Sequence, residues 1–309
     1  MKKPLTILFL MLCGNILLAQ NLEVQTFGHA NDKPIIFLHG GPGYNSVSFE
    51  KTTAEALAKN GFFVISYDRR GEGRNEPLTA AYTFNETFDD INQIFKSFNL
   101  KKVSLIGHSF GGVIATLFAD NYPDKINSLI LVGTPVSMQE TLKNIVSKSK
   151  AIYLEKDDKV SLNYINMLEK MDSTSLEYSS YSFMHAMSNG FYATKNPNQE
   201  AIALYKTFQS DTLLKKYASK MGYVAPQKFW KNEQYTTISL RENLENLKAK
   251  KVKVFAIYGK EDGLYSEEQI ENLKSILGDS KVIYLDNCSH SVFIDQQKEF
   301  IESIKKWTK

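Results

Sequence analysis

The sequence predicts an α/β protein built on a mostly parallel, doubly wound sheet, with one long helical insertion. Three observations carry this expectation. Short, continuous apolar runs alternate with helical stripes from Leu22 onward, as strands covered on both faces require. The alternation stops between about residues 135 and 248, a stretch too long to be a structureless connection. The composition, 43% hydrophobic and 23% charged over 309 residues, is that of an ordinary globular chain large enough to bury its own core.

In chain order, Met1-Lys2-Lys3 followed by the apolar run Leu5 to Leu12 and Ile16-Leu17-Leu18-Ala19 reads as an export signal over residues 1–20, cleaved near Ala19 or Gln20. Strands are expected at Pro34–Leu38, Phe62–Tyr67, Val103–Gly107, Ser128–Val132, Val252–Tyr258 and Lys281–Leu285. Helices lie between them. Phe88, Ile91, Ile94, Phe95 and Phe98 form one apolar stripe. Ser266-Glu267-Glu268-Gln269 has capping-box spacing ahead of Ile270, Leu273, Ile276 and Leu277, with Gly278 as the stop. Phe293, Phe300, Ile301, Ile304 and Trp307 line a final helix. The domain reading is therefore a core at residues 21–134 and 249–309, with a helical cap at 135–248. That insertion holds nine of the sixteen tyrosines and six of the eight methionines, enough to build a small helical core of its own.

Charge narrows the partners. The formal net charge is +3, and Lys2 and Lys3 contribute two of those units, so the mature chain is near neutral. Such a chain has no electrostatic footprint for nucleic acid or for stable association with an anionic membrane once the leader is gone. With Cys13 in the leader, Cys288 stands alone and no intramolecular disulfide is possible. Paired cysteine spacing for a metal is absent, and no metal or organic cofactor is expected.

The chemistry is concentrated in a few short motifs. Gly107-His108-Ser109-Phe110-Gly111 fits G-x-S-x-G, with a strand leading in and a helix (112–121) leading out. A serine on such a strand-to-helix turn stands exposed at the carboxyl edge of the sheet. The Phe110 amide at the helix start then faces the site of developing negative charge. Serine needs a base, and the base needs an orienting acid. Of the five histidines, His29 reads as a surface residue, His185 as a satisfied, partly buried one, His108 as a neighbour that points apart from Ser109 and His39 as part of a loop. His290 follows the last strand at the same edge and is the expected base. Asp262 in Gly259-Lys260-Glu261-Asp262-Gly263 is the expected acid, with Glu261 as second choice. His39-Gly40-Gly41-Pro42-Gly43 supplies a second oxyanion donor, assigned to the Gly41 N–H because Pro42 has none.

Together, His39-Gly40-Gly41-Pro42-Gly43, Asp68-Arg69-Arg70-Gly71-Glu72-Gly73, Gly107-His108-Ser109-Phe110-Gly111-Gly112, Asp262 and His290 resemble the α/β-hydrolase superfamily. The HGGPG loop resembles that of its proline iminopeptidase branch. The resemblance implies an α/β-hydrolase fold with a helical cap, Ser109 as nucleophile, His290 as base, Asp262 as orienter and the Gly41 and Phe110 amides as oxyanion hole. The chain departs from the branch in having His108 and Phe110 where glycine and tryptophan are common. It also has Arg69 and Asn75 where D-Q-R-G-x-G-x-S places glutamine and serine. These departures bear on substrate choice rather than on hydrolysis.

Three readings follow. The leading one is an exported serine hydrolase, periplasmic or secreted, that removes N-terminal residues, proline preferred, from short peptides through an acyl-enzyme. The second is a carboxylesterase for small esters. The third is a hydrolase-shaped binding protein. A peptide substrate calls for a carboxylate aimed at the free ammonium, and Glu155, Asp157, Asp158, Glu169, Glu177, Glu200 and Glu233 are available. An ester needs only an apolar pocket. Oligomeric state is left open.

Overall fold

The computed structural model describes residues 22–308. The expected export segment and Cys13 lie outside these residues. Seven strands form one sheet in the order β1-β3-β2-β4-β5-β6-β7. They are β1 (Val24–Phe27), β2 (Lys33–Leu38), β3 (Phe62–Tyr67), β4 (Val103–His108), β5 (Ile126–Val132), β6 (Lys253–Gly259) and β7 (Val282–Leu285). Every strand expected from the apolar runs is present. The additional strand β1 pairs antiparallel with β3, and all other pairings are parallel. Its sequence, Val-Gln-Thr-Phe, occupies a sheet edge and so lacks the continuous apolar signal of the buried strands.

The core lies on both faces of the sheet, because successive strand residues alternate sides. Ile36, Leu38, Ile65, Leu105, Leu129, Leu131 and Ala256 pack with residues of α3 (Phe84–Ser97) and α4 (Phe110–Asn121). Ile35, Phe37, Val64, Ile106, Ile130, Val132 and Ile257 point the other way. They pack against helical pieces α1 (Val47–Phe49), a π-wound turn (Glu50–Ala54) and α2 (Glu55–Ala58), and against the C-terminal helices. This two-sided burial explains why the strands read as unbroken apolar runs.

Between β5 and β6 the chain forms α5 (Met138–Glu155), α6 (Lys159–Leu168), α7 (Leu176–Ser188), α8 (Gln199–Thr207), α9 (Thr212–Tyr217), α10 (Val224–Glu233) and α11 (Arg241–Ala249). Ser137, Asp158, Ser175, Asn198 and Asp211 each accept a backbone N–H at a helix start. These side chains cap the N-termini of α5 to α9. The methionines do not all serve a core as their number suggests: Met167, Met184, Met187 and Met221 are exposed.

Past β6, α12 (Glu267–Leu277) begins with the expected capping box at Ser266 and Gln269 and ends at Gly278 with φ +100°. The last apolar stripe is two helices rather than one, α13 (Val292–Asp295) and α14 (Gln297–Trp307). The break falls at Gln296 (φ −134°), whose side chain reaches back to the Asp286 and Asn287 carbonyls.

Candidate active site

Ser109 sits at the carboxyl end of β4 with φ +53° and ψ −124°, a conformation that L-residues adopt only where the surroundings hold them. Its N–H donates to the Val132 carbonyl at 2.8 Å, and its carbonyl accepts the Gly112 N–H at 2.9 Å. The turn also needs Gly111, since a Cβ there would run into the carbonyl oxygens of Leu38 and His39. Ser109 is partly exposed, and its Oγ has no hydrogen-bond partner among the described residues.

His290 and Asp262 arrive from the neighbouring strand ends. His290 Nδ1 lies 2.7 Å from Asp262 Oδ2, and both residues are buried. A carboxylate only accepts, so Nδ1 carries the proton and Nε2 is left with a lone pair. The other Asp262 oxygen accepts the Leu264 N–H at 3.0 Å. Glu261, the second choice, is turned away: its carboxylate accepts from Thr194 Oγ1 at 2.8 Å and from the Lys195 N–H. The structure therefore brings Asp262 and His290 into direct contact beside β4. The Ser109–His290 hydrogen bond is not closed here; such bonds commonly tighten only with substrate bound.

His108, read as pointing apart from Ser109, places its ring 4.7 Å from that of His290. Its Nε2 donates to the His290 carbonyl at 3.0 Å, bracing the base across the sheet edge. Tyr192 and Tyr265 flank His290 at ring separations of 5.2 and 6.3 Å. Asp295 fixes the residue before the base, accepting the Ser289 N–H at 2.7 Å, the Ser289 hydroxyl and the Tyr205 hydroxyl at 2.7 Å. Nothing in the sequence marked Tyr192, Tyr265 or Asp295, because long-range packing gives them these positions. Burial pushes the Cys288 thiol up, which disfavours the thiolate that a nucleophilic role would need.

The Gly41 and Phe110 N–H groups have no hydrogen-bond partner among the described residues. A Cβ added at Gly40 would lie 3.2 Å from Ser109 Cβ, which puts the HGGPG loop directly beside the serine. Around Phe110 stand Phe84, Phe229 and Tyr235, at ring separations of 6.2, 5.6 and 5.4 Å. Of the acidic residues named from sequence, Glu233 is half-buried on α10, the helix that also carries Phe229; its carboxylate accepts the Phe84 N–H at 2.7 Å.

Burial and the nearby His290 push His108 down to about 3, and burial with the Arg69 cation holds His39 well below the ordinary histidine value. Between pH 3 and about 6.5 the unfolded chain therefore binds protons at His108 that the folded chain refuses. Stability from this group is full above about pH 6.5 and is lost as the pH falls, on the order of a few kcal/mol. The melting temperature is expected to drop steadily from pH 7 to pH 4, and His108→Gln to flatten that slope. Parallel slopes for the two proteins would contradict this.

A family model described as alpha/beta hydrolase fold matches residues 33–297. The chain belongs to the α/β-hydrolase family and is a hydrolase. It is related to the proline iminopeptidases: it is 26% identical over 288 residues to the proline iminopeptidase of Lactobacillus crispatus, covering 91% of this chain and 92% of the relative. It is 25% identical to that of Lactobacillus helveticus, with 91% of both chains covered. Among solved structures it resembles an esterase from Exiguobacterium antarcticum, with TM-score 0.62, 20% identity and coverage of 93% and 95%. It also resembles the proline iminopeptidase of Mycobacterium smegmatis, with TM-score 0.61, 18% identity and coverage of 92% and 93%. At these identities the solved structures speak to the fold.

Proposed function

We propose that the chain is an exported serine hydrolase acting through an acyl-enzyme, with short peptides bearing a free N-terminus, proline preferred, as substrates. The hydrogen bond between His290 and Asp262 beside the strained Ser109 turn carries this reading. Ser109 Oγ attacks the substrate carbonyl as His290 Nε2 takes its proton. Asp262 holds the imidazole in the required tautomer and stabilises the imidazolium. The free Gly41 and Phe110 N–H groups receive the oxyanion. His290 then returns the proton to the leaving group, and water, activated by the same base, releases the acyl group from Ser109.

Residues 135–248 act as a cap over this edge, and residues 1–20 as a cleaved leader. Finding the exported product's intact mass unchanged from the full chain would dismiss the leader. The long relatedness to proline iminopeptidases supports peptide substrates. Glu233, on the helix that packs against Phe110, is the carboxylate assigned here to a substrate ammonium.

A small-ester hydrolase is the second reading, favoured by the aromatic surround of Phe84, Phe110, Phe229 and Tyr235. One comparison separates them. Proline β-naphthylamide is expected to be cleaved with the higher kcat/KM when assayed beside p-nitrophenyl acetate and butyrate on the same preparation. Background-level cleavage of the amide with rapid ester turnover would end the peptide reading.

A further inference from the structure

Behind the HGGPG loop lies a buried ion pair in the motif where this chain departs from the family it resembles. Arg69 Nη2 and Glu72 Oε2 are 2.8 Å apart, with side chains only 3% and 0% exposed. Arg69 Nη1 donates to the His39 carbonyl and Nη2 to the Gly40 carbonyl, both at 2.6 Å. The Arg69 N–H donates to His39 Nε2 at 3.1 Å, and Glu72 Oε2 accepts the Gly43 N–H at 3.0 Å. The pair thus holds both ends of the glycine loop.

Resting on the reading of Gly41 as an oxyanion donor, we propose that Arg69 is a positioning residue that aims and polarises the Gly41 N–H, with Glu72 holding the guanidinium in place. The physical reason lies in the peptide group. The Gly40 carbonyl and the Gly41 N–H belong to one planar, trans unit, so they point in opposite directions. Drawing the carbonyl onto a buried cation turns the N–H to the opposite side, away from the guanidinium, in a loop whose Gly40 lies directly beside Ser109. The same charge-assisted bond withdraws density from the carbonyl and strengthens the N–H as a donor. Glu72 is needed because an unpaired guanidinium in this setting is costly to bury. Arginine and glutamate at these places therefore form one unit.

Two double variants isolate the donor from the charge. Arg69→Met with Glu72→Gln, and Arg69→Gln with Glu72→Gln, are both neutral and both keep an acceptor for the Gly43 N–H; they differ in whether residue 69 can donate to the Gly40 carbonyl. The methionine form is expected to lose about 10²-fold in kcat, with KM changed less than about threefold, as for loss of an oxyanion donor. Its affinity for a boronic acid that forms a tetrahedral adduct should fall in parallel. The glutamine form should recover to within about tenfold of wild type. Arg69→Lys keeps the charge beside Glu72 but cannot serve both carbonyls, and is expected to lose about tenfold in kcat even if the double variants fold poorly. Equal kcat in the two double variants, or an unaltered kcat in Arg69→Lys, overturns the proposal. A Ser109→Ala control keeps the cases apart: if it stays active, the underlying site reading has failed instead.

Discussion

Ser109→Ala is expected to lower kcat/KM by about 10⁵–10⁶-fold for whatever ester or amide the enzyme turns over. Without Oγ no acyl-enzyme forms, and what survives is the modest acceleration from the oxyanion donors and binding alone. Stability should move by less than about 0.5 kcal/mol, because the hydroxyl holds no bond to a described residue that its removal would break. A fluorophosphonate probe gives an independent readout: it should label wild type stoichiometrically and leave the alanine variant unlabelled. Activity above about 1% of wild type would remove Ser109 from the nucleophile's role.

Asp262→Asn is expected to cost about 10⁴-fold in kcat with the site geometry preserved. The asparagine keeps an oxygen for the Leu264 N–H and presents its amide to His290 Nδ1. That amide donates, so the imidazole must accept at Nδ1 and carry its proton on Nε2, where it cannot act as a base. Glu261 cannot substitute, being committed to Thr194 and the Lys195 backbone. A variant within tenfold of wild type by steady-state kinetics would show that the carboxylate at 262 does not set the tautomer.

Much of the fold could be read from local pattern because its central strands are buried on both sides and α12 carries its own capping box. β1 escaped because an edge strand has one neighbour and tolerates Gln25 and Thr26. The split after Asp295 escaped because the stripe Phe293, Phe300, Ile301, Ile304 keeps helical spacing across the break. At the site, the strand-end positions of Ser109, Asp262 and His290 followed from chain order and motif. The bracing by His108, Asp295 and Tyr205 did not, since each bond joins residues whose proximity only the tertiary fold creates. The exposed methionines between β5 and β6 make the same point from the other side: composition reports how many apolar side chains exist, not which way they face.

The Gly222 N–H donates to the Gly43 carbonyl at 2.7 Å, while Asn45 and Tyr44 donate to the carbonyls of Tyr217 and Ala218 at 2.9 and 2.8 Å. Gly43 has φ +92°, and a Cβ there would strike the Gly222 carbonyl oxygen, so the two backbones run in near contact. The segment between α9 and α10 is thereby latched to the strip that carries Gly41. Any outward swing of that segment to admit a bulky ligand must unfasten the latch or drag the strip with it. With Gly41 as the proposed oxyanion donor, ligand admission and catalytic readiness would be mechanically linked through these contacts, and insertions engineered between α9 and α10 are expected to be felt first as altered turnover.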